Sequence, residues 1–119
     1  MQSKLKAVIV DDELSGIEVL EYALKKHCPE IDVVHSFSSS TEAMNSIPDM
    51  MPDVLFVDVE MPQLNGFELV EKLASLNIQV IFTTAYNEFA LKAFRVSALD
   101  YLLKPVDVDE LKAAVAKLK

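Results

Sequence analysis

At 119 residues, 51% of them hydrophobic and 25% charged, the chain is long enough for one domain with a real core and too short for two. A net charge of −8, from 19 acidic against 11 basic side chains, argues against this domain gripping a phosphate backbone itself. No apolar run approaches the roughly 18 residues that span a bilayer, Met1–Lys6 lacks the apolar stretch of a secretory signal, and Cys28 is a lone thiol, so a cytoplasmic location is expected.

Leu5–Val10 ends in Ala-Val-Ile-Val, a run without alternation that suits a strand covered on both faces, and gives way to Asp11-Asp12-Glu13. From Ser15 to His27 the apolar Ile17, Leu20, Ala23 and Leu24 fall at helical spacing, with Pro29 as the stop. Val33-Val34 and Phe37 suggest a second, more exposed strand, and the Ser38–Thr41 cluster with Glu42 can cap a short helix through Ile47. Val54–Val57 is a third strand, apolar throughout, that ends on Asp58. Pro62 forbids a continuing ladder, and Asn65-Gly66 supplies turn chemistry before a helix that begins at Phe67 and continues through Leu69, Val70 and Leu73.

Val80–Phe82 reads as a fourth strand closing on Thr83-Thr84. Glu88–Val96 reads as a helix with Phe89, Ala90, Ala93 and Phe94 on one face. Tyr101-Leu102-Leu103 is a short fifth strand ended by Lys104-Pro105, and Asp107 can cap a last helix in which Val108, Leu111, Ala114, Val115 and Leu118 are spaced for burial. Strand and helix alternate five times, which predicts an α/β fold with right-handed crossovers and a parallel sheet covered on both faces.

Asp11 and Asp12 follow the first strand, Asp58 the third, Thr84 the fourth and Lys104 the fifth, whereas serines follow the second. All strand ends of a parallel sheet share one edge, so these groups converge if the sheet is doubly wound in the order 2-1-3-4-5, with Asp12 and Asp58 facing each other at the switch point. Carboxylates a few ångströms apart repel by about 4 kcal/mol per pair at an effective dielectric near 20, so the cluster wants a proton or a cation. Oxygen ligands without His or Cys suit Mg²⁺. Lys104 adds a compact positive charge and Thr84 a hydroxyl, which together describe a site for a phosphoryl group with Asp58 as nucleophile.

Any one of these residues alone reads more simply as a turn, cap or solvated surface position; their order along the chain is what favours a site. His27 and His35 lack partners at metal-ligand spacing and read as surface residues, Cys28 reads as packing, and Met50-Met51 as loop or core filler.

Asp11-Asp12-Glu13, Asp58-Val59-Glu60-Met61-Pro62 with Asn65-Gly66, Thr84-Ala85 and Lys104-Pro105 together resemble the receiver domain of two-component response regulators, a phospho-acceptor module of flavodoxin-like fold. The stretch from Phe89 to Pro105 further resembles receivers attached to LytTR-type DNA-binding domains. The resemblance implies that Asp58 accepts phosphate from a sensor histidine kinase and that Asp11 and Asp12, with Asp58 and the carbonyl of Glu60, hold Mg²⁺. It also implies that Lys104 pairs with the phosphoryl oxygens, through a cis bond to Pro105, and that Thr84 and Tyr101 are the switch hydroxyl and switch aromatic. It further implies a phosphorylation-dependent homodimer through the fourth helix, fifth strand and fifth helix. Such a chain is not a turnover enzyme and would touch DNA only through an output domain that this sequence lacks; it is either a truncated piece or a free-standing receiver, and a LytTR-like origin favours truncation. A phosphatase of the haloacid dehalogenase type is the alternative, because it also uses an Asp nucleophile, Mg²⁺, a Thr or Ser and a Lys.

Overall fold

The computed structural model describes residues 4–119; residues 1–3 of the leading stretch read for a secretory signal lie outside them. Five parallel strands, β1 (Leu5–Val10), β2 (Ile31–Phe37), β3 (Val54–Asp58), β4 (Gln79–Thr84) and β5 (Asp100–Leu103), form one sheet in the order β2-β1-β3-β4-β5. Between them run α1 (Leu14–His27), α2 (Ser40–Met50), α3 (Gly66–Lys72) with a 3₁₀ turn at Ala74–Leu76, and α4 (Ala90–Arg95), and α5 (Val108–Ala116) closes the chain.

The strand order dictates the layers. The crossover from β1 to β2 steps one way along the sheet and those from β2 to β3, β3 to β4 and β4 to β5 step the other way, so right-handed connections put α1 on one face and α2, α3 and α4 on the opposite face. Two apolar layers result. Leu55 and Val57 point into the layer beneath α2, α3 and α4, while Val54 and Phe56 point into the layer shared by α1 and α5. Every residue of β3 is buried, which is why its sequence does not alternate.

Several elements depart from their sequence expectation for local reasons. Asn65-Gly66 is not a turn: Asn65 is the N-cap of α3, its side chain accepting from the Glu68 N–H while the Glu68 carboxylate accepts from the Asn65 N–H, and the positive φ of 70° falls on Gln63 instead. The helix α2 does not end at Ile47 but runs to Met50 with Pro48 inside it, losing only the one hydrogen bond that a proline cannot donate. In β2 the pairing passes from Val33 opposite Ala7 to His35 opposite Val8, so Val34 is bulged out of register.

The largest departure is α4. It spans only Ala90–Arg95, Ala93 is its buried member, and Phe94 stands 79% exposed, so Phe89, Ala90, Ala93 and Phe94 do not share one buried face. Phe89 precedes the helix, and Phe94 lies about 100° around the axis from Ala93. By contrast Cys28 is buried as packing, and α5 begins at its Asp107 cap, whose side chain accepts from the Glu110 N–H.

Phe56 fills the centre of the α1/α5 layer with no exposed surface. Truncating it to Ala is expected to cost about 3–5 kcal/mol, a large share of the roughly 5–15 kcal/mol that holds a domain folded. A urea midpoint within experimental error of the wild type would contradict this packing.

Candidate phosphoryl site at the strand ends

Register brings the polar groups to one level. Val10 pairs with Val57, and Asp58 pairs with Thr83, so Asp11, Asp58 and the end of β4 lie side by side; Thr84 pairs with Leu103, which sets Lys104 one step further along β5. The Lys104 N–H also donates to the Thr84 carbonyl at 2.7 Å, and the Lys104-Pro105 bond is cis.

At the centre of this edge the Lys104 ammonium donates to Asp11 Oδ2 at 2.7 Å and to Asp58 Oδ2 at 3.1 Å. The second oxygen of each carboxylate is held by its own loop: Asp11 Oδ1 accepts from the Glu13 N–H at 3.0 Å, and Asp58 Oδ1 accepts from the Glu60 N–H at 3.2 Å. Asp11 and Asp58 are buried and Asp12 is exposed beside them, with one oxygen from each of the three within 4.8 Å of the others. The Glu60 side chain lies exposed at the rim, where it lines a shallow pocket with Asp12 and Pro62.

Two buried carboxylates share one ammonium, with a third carboxylate alongside. Burial pushes the Asp58 carboxyl above its ordinary value, and the charge of Asp11 adds to the push, outweighing the Lys104 ammonium and the Glu60 N–H that act against it. For Lys104 burial acts downward, but the hydrogen bond to Asp11 and the charge of Asp58 overcome it, and the ammonium is held above its ordinary value. The lysine therefore stays charged, and the site is short of positive charge.

Thr84 is fully buried, and its Oγ1 accepts from the Tyr86 N–H at 3.3 Å, so the hydroxyl lies against its own loop. The Tyr101 hydroxyl donates to the carbonyl of the same Tyr86, and the half-buried Tyr101 ring packs 6.5 Å from that of Phe82. The candidate site residues Asp11, Asp12, Asp58, Glu60, Thr84, Tyr101 and Lys104 thus stand at one edge, although Thr84 and Tyr101 meet at Tyr86 rather than at the carboxylates.

Two supporting residues escaped the sequence reading. Gly16 lies where a Cβ would come within 2.5 Å of Asp11 Oδ2 and 3.4 Å of Lys104 Nζ, so only glycine lets α1 pass beneath the ion pair; an isolated glycine in a helical pattern was the available signal. Ser40 is buried, its hydroxyl donating to the Pro62 carbonyl at 3.0 Å and accepting from the Leu64 N–H at 3.3 Å, which ties down the loop after Asp58. It was hidden among the serines read as caps, of which Ser39 is the one that caps α2.

Residues 7–116 match the family described as the response regulator receiver domain. The chain belongs to that family. The receiver is 39% identical over 115 residues to the sensory transduction protein LytT of Enterococcus faecalis, covering 95% of this chain and 47% of that protein. It is 38% identical over 116 residues to the transcriptional regulatory protein BtsR of Escherichia coli K12, covering 97% and 48% respectively. The chain therefore spans about half the length of the curated relatives it matches, and the LytT and BtsR relatives agree with a LytTR-type receiver. Among solved structures it resembles the response regulatory domain of protein mrkE from Klebsiella pneumoniae, with a TM-score of 0.88, 28% identity and coverage of 96% of this chain and 94% of that one. The flavodoxin-like fold and strand order follow expectation, and the dehalogenase-type phosphatase alternative finds no support. Among the described residues no helix is long and apolar enough to cross a membrane.

A carboxyl whose pKa is raised by folding binds its proton more tightly in the folded state, so ionising it as the pH rises costs stability. Asp58→Asn is therefore expected to raise the melting temperature at pH 7 in the absence of divalent cations by a few degrees, on a scale of about 4 °C per kcal/mol. The gain should fade as acidification protonates Asp58 in the wild type. A lower melting temperature for the Asn variant at pH 7 would contradict the charge imbalance.

Proposed function

We propose that this receiver is a phosphorylation-activated signalling module in which Asp58 accepts a phosphoryl group from the phosphohistidine of a sensor histidine kinase. The observation that carries the reading is the single ammonium of Lys104 divided between Asp11 and Asp58, with Asp12 alongside and an uncompensated negative charge in the pocket. An oxygen of Asp58 attacks phosphorus, a P–O bond forms, and the P–N bond to the imidazole breaks with its electron pair returning to the ring. Lys104, already anchored by Asp11, pairs with the transferred oxygens, and the N–H of Glu60 fixes the direction in which Asp58 presents itself.

The donor set fits Mg²⁺: three carboxylate oxygens gathered within 4.8 Å, with hard oxygen chemistry throughout. Asp11, Asp12 and Asp58, with the backbone carbonyl of Glu60, would hold the ion, which when bound neutralises phosphoryl charge and orients the donor. Thr84 is the switch hydroxyl. A phosphoryl group adds close to two negative charges and three acceptors, which draws that hydroxyl from Tyr86 towards Asp58 and alters the loop that Tyr101 also holds.

The surface formed by α4, β5 and α5 is the output face and the site of a phosphorylation-dependent homodimer. Leu91, Phe94 and Leu103 are exposed on it, whereas Phe89 and Val108 are partly buried. The relatives' length supports the reading that the chain is the receiver half of a longer transcription regulator, in which an output domain would carry any DNA contact. The receiver is a phosphoacceptor acting on itself, in the cytoplasm with its kinase partner.

Incubation with a small acyl phosphate and Mg²⁺, followed by intact mass, is expected to give one phosphoryl group per wild-type chain and none on Asp58→Asn. Labelling of the Asn variant at the wild-type rate would remove Asp58 from its role.

Mg²⁺ at about 100 times its dissociation constant is expected to stabilise the wild type by roughly 2.7 kcal/mol, and Asp12→Ala to abolish the effect. Because Asp58 holds its proton above the ordinary carboxylate range, the stabilisation should weaken on acidification before that range is reached. Equal Mg²⁺ shifts in wild type and Asp12→Ala would place the ion elsewhere.

A further inference from the structure

Both ends of the phosphoryl site reach the start of α4, and only one of the two routes passes through hydroxyls. On the β4 side, Thr84 holds the N–H of Tyr86 and Tyr101 holds its carbonyl. On the β3 side, the loop that begins at Asp58 returns to it at Gly66, whose N–H donates to the Val59 carbonyl at 2.8 Å and where a Cβ would collide with the Asp58 carbonyl oxygen. The next residue is Phe67, almost fully buried.

The Phe67 ring lies 4.8 Å from Phe82 and 6.1 Å, edge-on, from Phe89, and Phe89 lies 6.2 Å, again edge-on, from Tyr86. Phe82 and Tyr101 extend the series at 6.5 Å. Five aromatic rings therefore form a chain from Tyr86 through Phe89, Phe67 and Phe82 to Tyr101, and Phe89 is the member that joins α3 to the loop between β4 and α4. From α4 itself the Lys92 ammonium sits 4.8 Å over the Phe67 ring, although Lys92 is otherwise exposed.

We propose that Phe89 and Lys92 are positioning residues that carry the state of the Asp58 site to α4 through Phe67, in parallel with the Thr84 route. The inference rests on Asp58 being the phosphoryl acceptor. A shift of the Asp58 loop moves Gly66 and Phe67 together, because the backbone approach at Gly66 leaves no slack. Edge-on ring pairs and a cation over a ring face are directional, so a displaced Phe67 ring repositions Phe89 and Lys92 instead of sliding past them. The shortness of α4 suits this, since a helix of six residues with one buried side chain has little packing of its own to resist.

The test measures acyl-phosphate labelling with Mg²⁺ by intact mass and, on the same samples, amide exchange of the α4 segment. In the wild type, labelling is expected to change α4 exchange by about fivefold or more. Phe89→Leu keeps an apolar side chain and Lys92→Met keeps the apolar stem without the charge; both are expected to label at the wild-type rate and to lose most of the exchange change. Lys92→Arg is expected to restore it. Lys92 is exposed, so its variants test the bridge even if Phe89→Leu folds poorly. A response of wild-type size in Lys92→Met and Phe89→Leu overturns the bridge. Labelling of the wild type without any α4 change also overturns it and leaves the acceptor assignment standing, whereas a wild type that takes no phosphoryl group overturns both.

Discussion

One ammonium shared between two buried carboxylates is the constraint that the rest of this structure serves. Lys104 reaches Asp11 and Asp58 only because β5 ends where β1 and β3 end, because β4 separates β3 from β5 by a single strand, and because α1 carries a glycine where it passes beneath the pair. Separating these charges from water would be costly for isolated ions, and it is tolerable here because every oxygen of Asp11 and Asp58 has a donor. The arrangement is satisfied in its hydrogen bonds yet unbalanced in its charge. That combination leaves a net negative charge among groups whose positions are fixed by hydrogen bonds.

Placement of such a site at the carboxyl ends of parallel strands separates two duties of the chain. The apolar layers on either side of β3 supply the stability, and the strands that fill them end where the polar edge begins: Val10 is followed by Asp11 and Val57 by Asp58. On the β4 and β5 side, the polar contacts beyond that edge are made to loop backbone and not to the core. Thr84 and Tyr101 illustrate this, for both are anchored in strands, and what they hold is the backbone of one loop residue, Tyr86.

The fold was legible because strand and helix runs alternate with different periods, and the site because residues of unusual type end four of the strands. What could not be read were positions whose meaning depends on a neighbour distant in sequence. Gly16 looks like a helix defect until Asp11 and Lys104 are set beside it, Ser40 is one serine among several until Pro62 and Leu64 reach it, and Gly66 suggests a turn until the Asp58 carbonyl is found against it. Phe94 failed in the opposite sense: helical spacing groups it with Ala93, but α4 packs the sheet through Ala93 alone and leaves Phe94 outside.

The bulge at Val34 bears on how this protein behaves when crowded. An open sheet has two free borders, and here one is β5, only four residues long, while the other is β2, seven residues long and interrupted midway where Val34 breaks the pairing with β1. Asp32 and His35 are exposed along that longer border. A strand from another molecule would meet a kinked, polar ladder on one side and a very short one on the other, so strand addition is disfavoured at both. Fusion of this sheet with that of another copy is therefore disfavoured by the kink at one border and the shortness of the other.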